Sequence, residues 1–139
     1  MTSWATAGGG GSTFLVFGTQ SNQTSGISSN TTTYFHSWKS SSSTTEDNAL
    51  LLVPKGGTVK NLYVLVTANT LNGNFVVTLR KNGVDTALAT TLASGATTGN
   101  DTVNTFTVVA GDRISARGVT TAASSGSATN VNIVMEMAF

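Results

Sequence analysis

The sequence predicts an all-β protein folded as an antiparallel β-sandwich, and three observations lead to that prediction. Apolar and polar residues alternate over several short stretches, which is the two-residue period of strands with one buried face. Turn-forming pairs, such as Asn82-Gly83, separate these stretches. Only 9% of the 139 residues are charged. Thr, Ser, Asn and Gly take the places of the Lys and Glu that helices favour, which argues against helices.

Length and composition predict one domain, residues 13–139, behind a flexible arm, residues 1–12. The formal net charge is +1, and the seven basic residues are spread from Lys39 to Arg117, so we expect no nucleic-acid partner. Cysteine is absent, which excludes disulfides and thiolate metal sites. No apolar run approaches the ~20 residues of a membrane-spanning helix. The N-terminus lacks the basic-then-apolar order of a secretory signal, so we expect a soluble chain with no membrane partner.

The centre of the predicted sheet is residues 60–66. Leu62 and Val64 lie on one side of this stretch and Tyr63 and Leu65 on the other, so we expect a central strand covered on both faces. The next strand begins at Phe75 and alternates through residue 80. The pair Asn82-Gly83 supplies the positive φ angles of a tight hairpin loop, so the chain should fold straight back into residues 84–92.

Further strands are predicted from the same alternation and the turns around it. They cover residues 14–17, 33–38, 49–53, 101–109, 113–119 and 131–139. The last of these alternates most cleanly and should bury Val131, Ile133, Met135, Met137 and Phe139 on one face. About nine short strands separated by turns are typical of a sandwich or jelly roll.

The arm contains Trp4 ahead of the run Gly8–Gly11. A run of glycines is flexible, and it lacks the preceding strand and following Lys of a phosphate-binding loop. A large aromatic on a flexible tether either stays disordered or docks on a neighbouring subunit. The residues leave both alternatives open.

Two segments resemble a known family. Residues 108–115, VVAGDRIS, resemble the turn "apolar-x-x-Gly-Asp-x-apolar-Ser" of complement globular heads and tumour-necrosis-factor-like domains, and residues 133–139 are similar to their last strand. The wider pattern VPKGGTVKNLYV, FVVTLRKNGVDTAL and DTVNTFTVVAGDRIS is similar to jelly-roll modules of phage tail fibres and capsid decoration proteins. The likeness covers residues 48–139.

This resemblance implies an antiparallel β-sandwich of jelly-roll type that forms a homotrimer. Its shared residues are structural, so it brings no catalytic, cofactor or metal-binding residues. It implies a virion protein, most simply a phage capsid decoration (cement) protein. Such a protein would be assembled in the host cytoplasm, would lie on the capsid exterior and would have the major capsid protein as its partner. The alternative is a receptor- or glycan-binding head module of a tail fibre.

The titratable residues predict no enzyme. His36 is the only histidine, and metal or triad chemistry needs more partners than one imidazole. Glycosidase chemistry needs two facing carboxylates, yet only Glu46 and Asp47 are adjacent, and neighbours in a loop point apart. Asp101 and Asp112 are expected to stabilise their own turns through local hydrogen bonds.

The aromatic residues are the candidates for partner docking. Tyr34, His36, Trp38 and Tyr63 could form a platform for a sugar, although core or subunit-interface positions are the better expectation. The candidate docking residues are therefore Trp4, Tyr34, Trp38 and Tyr63, with a glycan as a less favoured partner.

Overall fold

The protein is described by a computed structural model over residues 11–18, 27–38, 41–121 and 125–139. These residues form fourteen strands and one short 3-10 helix, Glu46–Ala49. The strands in chain order are β1 (Ser12–Gly18), β2 (Ile27–Ser28), β3 (Thr32–Phe35), β4 (Ser42–Ser43), β5 (Leu51–Leu52), β6 (Gly57–Leu65), β7 (Ala68–Asn69), β8 (Phe75–Lys81), β9 (Val84–Leu92), β10 (Thr98–Asp101), β11 (Phe106–Val108), β12 (Arg113–Thr120), β13 (Ser127–Thr129) and β14 (Asn132–Ala138).

Two antiparallel sheets pack over one core, so the predicted all-β sandwich is confirmed. Sheet 1 has the order β1-β14-β6-β10, and β11 also pairs with β6. Sheet 2 has the order β4-β3-β12-β8-β9, and β5 also pairs with β12. A small third sheet joins β2, β13 and β7, and its buried residues Ile27 and Ala128 belong to the same core cluster.

Four of the strand pairs are nested along the chain. The hairpin β8–β9 lies inside the pair β6–β10, which lies inside β3–β12, which lies inside β1–β14. Successive pairs alternate between the two sheets. The chain therefore runs as a long antiparallel ribbon that is wrapped around the core.

The hairpin and the buried face of the last strand follow the sequence prediction, but the predicted burial of Phe139 is wrong. Asn82 and Gly83 have φ angles of 51° and 80°, and the chain folds back into β9 directly after them. In β14, Ile133, Met135 and Met137 are buried, whereas Phe139 beyond it is 37% exposed. Phe139 donates its backbone N–H to the Gly11 carbonyl at 2.7 Å, which fastens the end of the chain beside the start of β1.

Other predicted boundaries need correction. Residues 101–109 were expected to form one strand, but the chain turns after Asp101 and only β11 remains of that strand. The stretch before Asp101 was expected to be a loop, yet it contains β10. Strand 49–53 shortens to β5 because the 3-10 helix precedes it. Ser12, expected in the arm, is the first residue of β1, and residues 1–10 lie outside the described residues.

Strand β6 is central, as predicted, but it is not covered on both faces. It pairs with β14 on one side and with β10 and β11 on the other. Leu62 and Val64 are buried in the core, whereas Tyr63 and Leu65 are 53% and 48% exposed. The second sheet lies on only one side of β6, so the other side of this apolar strand faces outward in the single chain.

Candidate interaction surfaces

The outward side of sheet 1 carries a continuous apolar surface. The strand register places Val16 opposite Val134, and Val134 opposite Tyr63, so these side chains form one row across β1, β14 and β6. Phe14 and Leu65 extend the row by two residues along their strands, which keeps them on the same face. We call these five residues, Phe14, Val16, Tyr63, Leu65 and Val134, the apolar face.

The exposed fraction of the apolar face is large. Phe14 and Tyr63 are each about half exposed, at 50% and 53%. Fully burying an aromatic side chain removes about 150–250 Å² from water, so each of these two leaves roughly 100 Å² uncovered. At about 25 cal/mol per Å², covering that surface would be worth about 2.5 kcal/mol for each residue. A contiguous apolar surface of this kind is a candidate interaction site.

One polar group lies beside this surface. Asn61 has a φ angle of 53° and lies at an irregularity in the pairing of β6 with β14. Its side-chain amide donates to the Glu136 carboxylate at 2.7 Å, and the Lys60 ammonium lies 3.8 Å from the other oxygen. The apolar face is therefore bordered by one acid and one base, Glu136 and Lys60, that already balance each other, which lowers the cost of burying them.

The outward side of sheet 2 is built differently, around an ion-pair cluster. The Arg80 guanidinium donates to Glu46 at 2.9 Å and also to Asp85. Arg117 donates to the second oxygen of Asp85 at 2.7 Å. Tyr34 lies beside this cluster, with its ring centre 6.0 Å from the Arg80 guanidinium carbon. Two arginines and two carboxylates thus neutralise each other on this surface.

The cluster holds Glu46 in its ionised form. Burial acts to raise the pKa of Glu46, but hydrogen bonds from Ser115 and Arg80 outweigh burial and leave this pKa below its ordinary value. A general acid working near neutral pH needs a raised pKa instead. Glu46 is therefore held as a hydrogen-bond acceptor that joins the 3-10 helix to β8 and β12. Sequence reasoning missed this contact, because 34 residues separate Glu46 from Arg80.

The predicted turn-stabilising roles of Asp101 and Asp112 are confirmed. Asp112 accepts the Val109 backbone N–H at 2.9 Å across its own turn. Asp101 accepts backbone N–H groups from Ala89, Val103 and Asn104, as well as the Asn104 side-chain amide. Burial of Asp101 opposes ionisation, yet these hydrogen bonds prevail and lower its pKa to about 2.

The predicted docking residues do not form one site. Tyr34 lies on the outward side of sheet 2 and Tyr63 on the outward side of sheet 1, so a sugar platform shared by these two residues is wrong. Trp38 is 63% exposed and packs edge-on against His36, with 5.0 Å between ring centres. His36 itself is buried. Trp4 lies outside the described residues.

In the described part of the chain, no three His, Asp or Glu side chains come together as metal ligands. The same residues contain no helix long and apolar enough to cross a membrane. Comparison of the sequence with models of known protein families and with curated proteins gives no match.

Proposed function

We propose that this chain is a structural protein that forms a homotrimer and decorates the exterior of a virus particle, most simply a phage capsid. It would work mechanically and not as an enzyme. The domain would cap a junction between major capsid protein subunits, and the apolar surface buried there would stabilise the shell. This proposal rests on the apolar face, which the neighbouring copies of the trimer would cover, because its two half-exposed aromatics and its leucine form one contiguous apolar surface.

The fold supports the proposed jelly-roll assignment. The nested strand pairs, which alternate between two sheets, are the arrangement expected of a jelly roll built from a wrapped ribbon. The resemblance drawn from residues 108–115 falls on the turn between β11 and β12, where Val108 and Ile114 are buried on either side of the exposed turn. The similar closing strand, β14, lies between β1 and β6 inside sheet 1.

The self-balanced charges support a second copy of the chain as the cover for the apolar face. Lys60 and Glu136 beside this face carry no net charge together, so a copy of the same surface meets no repulsion. A strongly charged partner would gain nothing from such a surface. Around a threefold axis, the half-exposed aromatics of each copy would lie against the next copy, leaving the remaining surface free for the capsid.

Virus particles assembled without this chain test the proposal directly. The purified protein should co-sediment with such particles, saturate at multiples of three chains and raise the temperature at which the particles open. Tyr63→Asp should lose binding, because a charge on the apolar face disrupts the trimer that binds the particle, whereas Thr91→Asp on the exposed outer side of sheet 2 should bind normally. Failure to bind particles, together with binding to host surface glycans, would replace the proposal with the tail-fibre alternative.

A further inference from the structure

A groove opens where the edges of the two sheets meet. It lies between the first half of β9, at the edge of sheet 2, and β11 with the residues just before it in sheet 1. Its volume is about 530 Å³. Apolar side chains from both edges line it, namely Val84, Ala87 and Phe106, and Val84 is 67% exposed. The groove is therefore a second uncovered apolar site, separate from the apolar face.

Polar groups surround the groove, and some of them already have hydrogen-bond partners. The Lys81 ammonium donates to the Thr107 carbonyl at 2.9 Å and so bridges the two sheets at one end of the groove. Threonines 86, 105 and 107 supply hydroxyl groups around the opening, and the Asp85 carboxylate, which already accepts from Arg80 and Arg117, also lines it. An apolar floor with a cation and hydroxyls at its rim suits an amphipathic aromatic group such as an indole, whose face attracts cations.

The chain contains such a group within reach. Residues 2–11 contain no charged side chain, and Trp4 is their only aromatic residue. The register aligns Ser12, Ala138, Thr58 and Thr107 in one row across sheet 1. Three strand spacings of about 4.8 Å therefore separate the start of β1 from β11, or roughly 14 Å. Seven residues lie between Trp4 and Ser12, which makes eight steps of about 3.3 Å, so Trp4 can reach roughly 26 Å.

We propose that Trp4 of the same chain fills this groove, with its indole ring against Val84 and Phe106. A turn of the arm beyond β1 is compatible with the glycines at positions 8–11, because glycine can adopt backbone angles closed to other residues. The docked arm would cover the open edge between β9 and β11. This places the arm within its own subunit, and the apolar face of sheet 1 stays free for other contacts.

Cysteine cross-linking tests whether Trp4 lies in the groove. The chain has no cysteine of its own, so only the introduced pair can form a disulfide. Ala5→Cys combined with Ala87→Cys places one thiol beside Trp4 and the other in the groove. Ala5→Cys combined with Thr91→Cys is the control, since Thr91 is an exposed residue of the same strand outside the groove. Under mild oxidation, the first pair should form an intrachain disulfide in severalfold higher yield than the control. Equal yields from both pairs, or covalent dimers in place of intrachain bonds, would overturn the placement.

Fluorescence gives a second test that does not depend on disulfide geometry. In a Trp38→Phe background, emission comes from Trp4 alone. We expect blue-shifted emission that resists acrylamide quenching. Adding Val84→Asp should shift the emission to the red and raise quenching severalfold, whereas Val103→Asp, at an 85% exposed position outside the groove, should change neither. Trp4 emission that is already that of a solvated indole would refute the proposal.

Discussion

Replacing Ile133 by alanine tests whether β14 buries the face that its alternation indicates. Ile133 is completely buried and lies opposite Phe17 on β1 and Val64 on β6, both of which are also buried. The substitution removes three carbons, which is worth about 2.4 kcal/mol at about 0.8 kcal/mol per buried group. The cavity left between two paired strands adds to this loss. We therefore expect Ile133→Ala to lower the free energy of unfolding by about 3 to 4 kcal/mol.

Urea unfolding followed by circular dichroism measures this loss, with Asn132→Ala as the matched control. Asn132 is the neighbouring residue on β14, faces outward and is only half buried. Its truncation should cost less than about half as much as Ile133→Ala, with the same dependence on urea concentration. Equal losses from the two variants would refute the reasoning, because a register error of one residue exchanges the buried and outward faces of a strand.

Two further predictions concern Asp101 and Gly118. The folded-state pKa of Asp101 is about 2, below its ordinary value of 3.8, so its ionised form stabilises the fold above pH 4 and this contribution is lost as the pH falls towards 2. The free energy of unfolding of the wild-type protein should fall by on the order of 1 kcal/mol from this residue as the pH is lowered towards 2, and Asp101→Asn should lack this fall. The same pH dependence in both proteins would contradict this prediction. A Cβ added at Gly118 would lie 2.7 and 2.8 Å from the rings of Phe35 and Phe75, so Gly118→Ala should lower stability by about 1 to 3 kcal/mol. Thermal melts should show a much smaller loss for Gly56→Ala, where the nearest atom is 3.4 Å away; similar losses would refute this account.

The parts of the fold that local chemistry determines were predictable from the sequence. Asn82-Gly83 encodes its own hairpin through the φ angles that it accepts. The alternation of Ile133, Met135 and Met137 encodes which face of β14 is buried. Asp112 stabilises its turn through a residue three positions away. Each of these signals lies within a few residues of its effect.

The features that were missed depend on partners distant in sequence. Strand β10 exists because Thr98–Asp101 pairs with β6, and nothing within its own four residues indicates a strand. The sequence of β6 is apolar on both sides, with Tyr63 and Leu65 on one of them. It does not indicate that the second sheet covers only the other side. The sequence also does not indicate that Tyr34 and Tyr63 belong to different sheets. The candidate surfaces could therefore be identified only once the strands were paired.

The mass of the protein in solution tests the central claim, that the apolar face joins three copies of the chain. Sedimentation of the wild-type protein should give three times the 14.2 kDa mass of one chain. Tyr63→Asp forfeits about 2.5 kcal/mol of apolar burial at each contact and adds a charge, so the dissociation constant should rise by at least about 50-fold and the single chain should dominate. Thr91→Asp, on the outer side of sheet 2, should keep the mass of the trimer. A wild-type protein with the mass of one chain, both alone and on the virus particle, would contradict the account.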